Sequence, residues 1–572
     1  MTKKYDFKKN FISPSKLKNY FLNDTILDFI NRYQKKFNFI KKEDEFNTYL
    51  KNKGKEFESH IYNLISNRLP TKKLSDFNKD KEYNKYIFNT YKKTINYMEK
   101  GIPIIFQGVL IDFEEKLYGI PDIIIRSDFI DKLMNNSISY DIKKGCKFSK
   151  EWYYIIIDIK YCNLYFRKDN VTLINKGLFS YYKGQVYLYS KILNKIQENN
   201  NYNSYILGRK WIKKTEKGNN SFDYLGLVDF LDKDSEIPQK ILDSINWQNK
   251  LNKYGDTWDL FSNNIPELYP NMNNSNYDKE WRHIKEMINE KKNDITSIWN
   301  CGIKHRKNGF EKNIYSWIDE KCNSEIIGIN GKRRKIINKI LDLNRNENER
   351  DFLPNKIINN KENLKKNNLE FFVDFETVNI ESYSSYIFMI GFLCISYNEI
   401  TGSYESVFQN FIVNNFTLEE ENRIIELWIN YMKNLELKFD IKAKIYHWSN
   451  AEVSFYYKAR IRNNKILDWP EINFMDLLKV FKSEPIIIRG ALRYGLKEIA
   501  TNLYNLGYIN TIWDMDMDGR IAMIKAEEAL KKSKINKIKF SDMRIIKTIS
   551  KYNYIDCQVV YEILEFIRNN ML

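Results

Sequence analysis

The chain is poor in the residues that hold soft metals. Its six cysteines, Cys146, Cys162, Cys301, Cys322, Cys394 and Cys557, are scattered, with no CxxC pair or other close spacing. That excludes a zinc knuckle, an iron–sulfur cluster and a disulfide framework. The four histidines, His60, His283, His305 and His447, also lie far apart. Any metal would therefore have to be held by carboxylates. No apolar run approaches membrane-spanning length, and Met1-Thr2-Lys3-Lys4-Tyr5 leads into no apolar core of a secretory signal. An intracellular, reduced protein with no membrane partner is expected. No GxxxxGK[ST] occurs, because Gly331-Lys332-Arg333 lacks the first glycine and the hydroxyl, so no helicase motor is expected in the chain.

At 572 residues the chain exceeds what one hydrophobic core organises, so several domains are expected. Lys and Arg total 92 against 74 Asp and Glu, a net +18. That excess invites nucleic acid as a partner. It is equally what an AT-rich genome produces, since Lys, Asn, Ile and Tyr are abundant together. Residues 1–240 alternate helix-like and strand-like segments. Residues 241–365 are Asn- and Lys-rich and helical in pattern, punctuated by Pro266 and Pro270. Asn344–Arg350 and Asn359–Lys361 read as solvated linker. From 366 strand signals return, and 366–572 ends helical. Two mixed α/β domains around a helical connector are expected.

Glu151–Tyr161 reads EWYYIIIDIKY, a buried strand whose alternation puts Asp158 and Lys160 on one face. A DxK pair by itself is also what a structural ion pair near a strand end provides. Its surroundings shift the balance. Asp122 begins an apolar strand directly after a Gly-Ile-Pro turn. Lys53–His60 opens an amphipathic helix on which Glu58 sits beside the stripe Phe57, Ile61, Leu64 and Ile65. Downstream, Gln185 and Tyr189 lie one turn apart on another helix.

These motifs together, GxxxE (Gly54–Glu58), GxPD (Gly119–Asp122), DxK (Asp158–Lys160) and QxxxY (Gln185–Tyr189), resemble the RecB-like branch of the PD-(D/E)xK nucleases over residues 10–235. Ser13–Tyr20 looks like the lead-in helix of such proteins. The resemblance implies a restriction-endonuclease-like fold in which Asp122, Asp158 and Glu58 hold Mg2+ or Mn2+. Lys160 would orient or polarise the attacking water, and Gln185 and Tyr189 would position the strand or Lys160. His60 reads as a helix-surface residue. Asp122 and Asp158 are 36 positions apart, longer than a hairpin needs, so Arg126–Lys150 is read as an excursion between adjacent strands. Asp141 and Lys143 form a second DxK there, rejected because their flanks are polar.

Leu369–Thr377 is another apolar strand, with Asp374 and Glu376 on one face. Adjacent anions in such a strand repel, and a cation is the economical explanation. Tyr552 and Asp556, one helical turn apart, form a YxxxD beside the apolar face Ile555, Val559 and Ile563. This DxE…YxxxD pattern resembles the DEDDy exonucleases, over 366–570. It implies an RNase H-like fold, with Asp374, Glu376, Glu452 and Asp556 as metal ligands and Tyr552 assisting the nucleophile. Glu452 follows the strand Ile445–Trp448, where Asp is the commoner family residue, and Asp476 competes for the role. Lys497, opening a later helix, faces either DNA or solvent.

Between the two, Gly302, Gly328 and Gly331 stand near basic residues at helix junctions, as in helix-hairpin-helix modules that grip DNA. A solvated linker fits them equally. The whole arrangement resembles two-nuclease proteins of prokaryotes and large DNA viruses. It implies a metal-dependent deoxyribonuclease in replication, recombination or repair, on single- or double-stranded DNA, with RNA open for the second site and a helicase or replication partner in trans. Two alternatives stay open: a silent second site serving as a binding platform, and a nucleic-acid scaffold with both sites silent.

Overall fold

The computed structural model describes residues 6–74, 83–136, 145–345, 350–380 and 383–572. The chain divides into two compact units, Met1–Lys292 and Asn293–Leu572, each built on a mixed β-sheet. Among the described residues no helix is long and apolar enough to cross a membrane. The stretch 241–365, expected as a connector, is divided between the two units. Asp141 and Lys143 fall outside the described residues.

The first unit contains β1 (Thr71–Lys73), β2 (Ile104–Phe106), β3 (Leu110–Asp112), β4 (Leu117–Gly119), β5 (Ile123–Arg126), β6 (Tyr154–Tyr165), β7 (Ser204–Ile212), β8 (Lys217–Gly218) and β9 (Gly226–Val228). The main sheet runs β1-β2-β5-β6-β7-β8, with β9 also on β7, while β3 and β4 pair separately. β1–β2 and β6–β7 are parallel, and the other pairings are antiparallel. The central strands are isoleucine runs because both faces are covered. Ile123, Ile125, Ile155 and Ile157 pack with Phe57, Ile61 and Ile65 of the helix Glu45–Ser66. Ile124, Tyr154 and Ile156 pack on the opposite side with Val186 and Ile192 of the helix Phe179–Gln197. β5 and β6 pair antiparallel with Ile123 opposite Ile157, so the segment joining them is an excursion between adjacent strands, as expected.

The helix carrying Glu58 starts earlier than its apolar stripe suggests. Asp44 caps it, accepting from the Asn47 backbone amide, and no residue of its first turns is buried. Residues beyond 240 join the same unit because their few apolar groups are buried. Trp247, Leu251, Trp281, Ile284 and Ile288 form one cluster with Ile26, Phe29 and Ile30. The Lys285 ammonium, wholly buried, bonds to Asp24 Oδ2 at 2.7 Å, Asp278 Oδ2 at 2.5 Å and the Asn271 carbonyl at 2.8 Å. Buried charges survive only when paired and hydrogen-bonded in this way.

The second unit contains β10 (Phe352–Leu353), β11 (Leu369–Val378), β12 (Tyr386–Asn398), β13 (Ser403–Ile412), β14 (Lys444–His447), β15 (Phe474–Asp476) and β16 (Ile487–Ile488). Its main sheet runs β13-β12-β11-β14-β15. The first three strands are antiparallel, and β14 and β15 run parallel to β11. Alternation along β11 sorts its side chains by face. Phe371, Val373 and Phe375 pack with Ile424, Ile425 and Trp428 of the helix Leu418–Phe439. Phe372 faces Ile555, Val559 and Ile563 of the helix Arg544–Met571. Residues 295–343, expected as solvated connector or DNA-gripping module, contribute Ile295, Ile327, Ile337, Ile340 and Leu341 to that same core. Asn360, read as linker, is pinned by its amide to Glu484 Oε1 at 2.8 Å.

The Lys285 network gives a stability prediction. Lys285→Met should leave Asp24 and Asp278 buried without their cation and cost about 3–5 kcal/mol. Urea unfolding followed by tryptophan fluorescence measures it.

Candidate active sites

In the first unit Asp122 stands one position beyond the Ile123–Ile157 pair, across from Asp158. The Gly119 turn fixes its approach. A Cβ on Gly119 would lie 2.3 Å from the Tyr189 ring, so glycine is what lets that buried tyrosine close over the turn. Asp122 Oδ2 accepts from the Ile159 amide at 2.7 Å. Asp158 Oδ2 lies 2.5 Å from Lys160 Nζ, yet this buried oxygen accepts no well-aligned hydrogen bond. The ladder between β6 and β7 shifts register just after Lys160, a local irregularity of the kind that re-aims side chains.

The electrostatics tie these groups to Glu58. Burial, then the Asp158 carboxylate and Glu58, push Asp122 well above the usual range, with Lys160 pulling the other way. Burial also raises Glu58, opposed chiefly by Lys160. Burial disfavours the Lys160 ammonium, but Asp158 and then Asp122 outweigh it and its pKa is raised. A cavity of about 470 Å3 opens beside them, lined by Lys55, Glu58, Lys73, Gln107, Asp122 and Ile159. The motif residues Glu58, Asp122, Asp158 and Lys160 thus share one place, with the lysine as internal counter-ion.

Gln185 and Tyr189 reach this place differently. Tyr189 is buried, and after burial its hydroxyl responds to Asp158 and Asp122. Gln185 is half-buried and hydrogen-bonds to Tyr181, which itself lies near Lys160 and Asp158. The Lys160 ammonium is 5.3 Å from the Tyr182 ring centroid. Tyr181 and Tyr182 were not singled out from sequence, although Tyr181 is one helical turn before Gln185. Gln107, a non-glycine residue at φ +53°, was also missed, and no sequence pattern marks it. His60 is exposed on its helix.

In the second unit Asp374 and Glu376 lie on the β11 face shared with Phe372. That face meets the helix Arg544–Met571, and Asp556 arrives there. Oxygens of Asp374, Glu376 and Asp556 lie within 4.8 Å of one another, the sole such group of three ligating side chains among the described residues. Glu452, buried in the first turn of the helix Ala451–Arg462, contributes a fourth negative charge felt by all three. Its Oε2 is 3.1 Å from His447 Nδ1. The competing acid is occupied elsewhere. Asp476 Oδ1 accepts from the amides of Ser449 at 3.0 Å and Leu478 at 2.9 Å, capping the helix Leu477–Ser483.

Two of the donors around the acids, Asn553 and Trp513, are residues that sequence patterns did not flag. Asn553 Nδ2 donates to Asp374 Oδ2 at 2.7 Å. Gly391, opposite Asp374 in the ladder, makes room for it, since a Cβ there would lie 1.4 Å from Asn553 Oδ1. Trp513 Nε1 donates to Asp556 Oδ1 at 2.9 Å, and Tyr552 hydrogen-bonds the same carboxylate. Asn553 is legible only as the residue three before Asp556.

These donors do not neutralise the cluster. Burial, then Asp556, Glu376 and Glu452, raise Asp374 well above the carboxylate range. Burial and Asp556 push Glu376 up to about 8. Burial pushes Asp556 up to about 7, against the Tyr552 and Trp513 hydrogen bonds and the Lys497 charge. Hard oxygen donors at this spacing suit Mg2+ or Mn2+ rather than a softer ion. In the first unit the buried, poorly bonded Asp158 Oδ2 beside Asp122 and Glu58 offers the same chemistry. Neither a family model nor a curated protein sequence matches the chain.

Two outcomes follow. Acids with raised folded pKa values stabilise the apo unit at low pH and lose that contribution as pH rises through about 7 to 8. A cation that replaces the protons reverses this, so Mn2+ affinity of the component lost in Asp374→Asn should rise at least about tenfold between about pH 6 and 8, with proton release. Calorimetry in buffers of different ionisation enthalpy tests both signs. Gly391→Ala should displace Asn553 and weaken Mn2+ binding by about ten- to a hundredfold, as loss of a ligand's supporting partner does, without changing binding at the first site.

Proposed function

We propose that the chain is a divalent-cation-dependent nuclease with two active sites that hydrolyses phosphodiester bonds, DNA being the substrate and RNA an alternative at the second site. The observation that carries this reading is the gathering of half-buried Asp374 with buried Glu376 and Asp556, with Glu452 and Tyr552 beside them. Four carboxylates so close together and largely out of water are electrostatically unfavourable unless cations are expected there. The sheet order of the second unit, three antiparallel strands followed by two parallel ones, supports an RNase H-like fold. The acids at β5 and β6, with Glu58 on the preceding helix, support a PD-(D/E)xK fold in the first unit.

Asp122, Asp158 and Glu58 would hold Mg2+ or Mn2+ in the first site, and Asp374, Glu376, Glu452 and Asp556 in the second. When bound, the cation supplies a more acidic water and offsets charge developing on the phosphate. The protein's own groups do the positioning. In the first site the Lys160 ammonium, held charged by Asp158 and Asp122, donates to the water or to a phosphate oxygen. In the second, the Tyr552 hydroxyl is directed by its bond to Asp556 and orients a water next to that carboxylate. Asn553 and Trp513 keep Asp374 and Asp556 in place. A tyrosine whose pKa is raised by burial and by Asp556 stays protonated at neutral pH, which suits orienting rather than deprotonating.

Asp158→Asn and Asp556→Asn, assayed singly and together with Mg2+ on labelled single- and double-stranded DNA, should each remove a separable activity by about a hundredfold or more. Full activity in the double variant would refute both assignments. Cleavage that vanishes with Asp158→Asn and is untouched by Asp556→Asn would leave the second unit as a binding platform.

A further inference from the structure

We infer that Lys497 is the phosphate-holding residue of the second site, its ammonium receiving a non-bridging oxygen of the phosphodiester that meets Asp374, Glu376 and Asp556. This rests on the nuclease reading above and extends it to substrate positioning. Lys497 is exposed in the first turn of the helix Leu496–Asn505. Its head is nonetheless held in one place. Nζ donates to the Met517 carbonyl at 2.6 Å and sits 5.3 Å from the ring centroids of both Trp513 and Tyr552. Those are the two residues that hydrogen-bond Asp556. Two aromatic faces steer an ammonium by their ring quadrupoles, so the residues that fix Asp556 also fix the cation beside it.

The contrast with the first unit gives this placement meaning. Lys160 lies 2.5 Å from Asp158 Oδ2, so part of its charge is offset by a carboxylate. Lys497 acts on Asp556 only at longer range, and among the described residues no carboxylate approaches it closely enough for an ion pair. An ammonium has three N–H donors, and Met517 takes one. Two remain on a residue exposed to solvent, close enough to Asp556 for its charge to act there. A phosphodiester approaching the four carboxylates is repelled by them, and a preorganised cation beside Asp556 is the group that offsets this.

The test uses the full chain carrying Asp158→Asn, so that cleavage reports the second site, and a fluorescein-labelled thymidine oligonucleotide as probe. Lys497→Met keeps the apolar stem over the rings and removes the charge. It should raise KM about tenfold, lower the slope of log Kd against log salt, measured with Ca2+ in place of Mg2+, by about one, and leave Mn2+ binding unchanged. Lys497→Arg should restore most of the affinity. Unchanged KM and salt slope, or a loss that arginine does not restore, would overturn the assignment and leave Lys497 as a tie between its helix and Met517. Asp556→Asn in the same background reports separately on the nuclease reading: if cleavage survives it, that reading fails, whereas the salt slope of Lys497→Met still reports on phosphate contact.

Discussion

Carboxylates that share a buried place repel one another and resist losing water, and each unit of this chain is arranged around that problem. In the first, Asp122, Asp158 and Glu58 are accompanied by Lys160, whose ammonium supplies a positive charge from within the same strand. In the second, Asp374, Glu376, Glu452 and Asp556 gather with no lysine or arginine inserted among them. The donors on Asp374 and Asp556 are neutral: the Asn553 amide, the Trp513 indole and the Tyr552 hydroxyl. These hydrogen bonds do not outweigh burial and the mutual repulsion of the acids. The second cluster therefore retains protons near neutrality until something positive replaces them.

Rigid packing makes such an arrangement possible. β11 cannot turn Asp374 and Glu376 away, because Phe371, Val373 and Phe375 lock the opposite face against Trp428 and its neighbours. Slipping the strand by one residue would put Val373 and Phe375, or Phe375 and Thr377, where the acids stand. The helix Arg544–Met571 is likewise held by Ile555, Val559 and Ile563, which fixes where Asp556 and Tyr552 project. In the first unit the same alternation separates Ile123 and Ile125 from Asp122 and Ile124. Two glycines complete these frames: Gly119 admits the Tyr189 ring, and Gly391 admits the Asn553 amide. Their role is space beside a functional side chain, not an unusual backbone conformation.

The acids were legible in sequence because each breaks a pattern. Asp158 interrupts an isoleucine run, and Asp374 and Glu376 interrupt a run of phenylalanine and valine, so period-two alternation places them without further information. Glu452 and Asp476 could not be separated that way. Glu452 follows one short strand and Asp476 ends another, and only the amides of Ser449 and Leu478, gathered on Asp476, assign it to capping. Asn553, Trp513 and Lys497 stayed invisible or undecided for a related reason. Their meaning lies in which carboxylate they meet across the fold, and neither spacing nor composition encodes that. The supposed connector misled through its polarity: Lys285 with Asp24 and Asp278, and the isolated Trp247 and Trp281, are buried without the periodicity of an apolar run.

Net charge enters last and in a narrower role than its size suggests. An excess of +18 creates a field that draws polyanions to the whole surface, but a diffuse field cannot hold one phosphate within reach of one water. That takes a cation with a fixed position, and fixing a lysine means spending its hydrogen bonds without spending its charge. A carboxylate partner holds the ammonium and offsets part of its charge, as Asp158 does to Lys160. A carbonyl and two aromatic faces hold it and leave the charge outward, as Met517, Trp513 and Tyr552 do to Lys497. On the proposed nuclease reading, Lys160 and Lys497 are distinguished by what restrains them, and the restraint decides how much of each charge is left for a substrate.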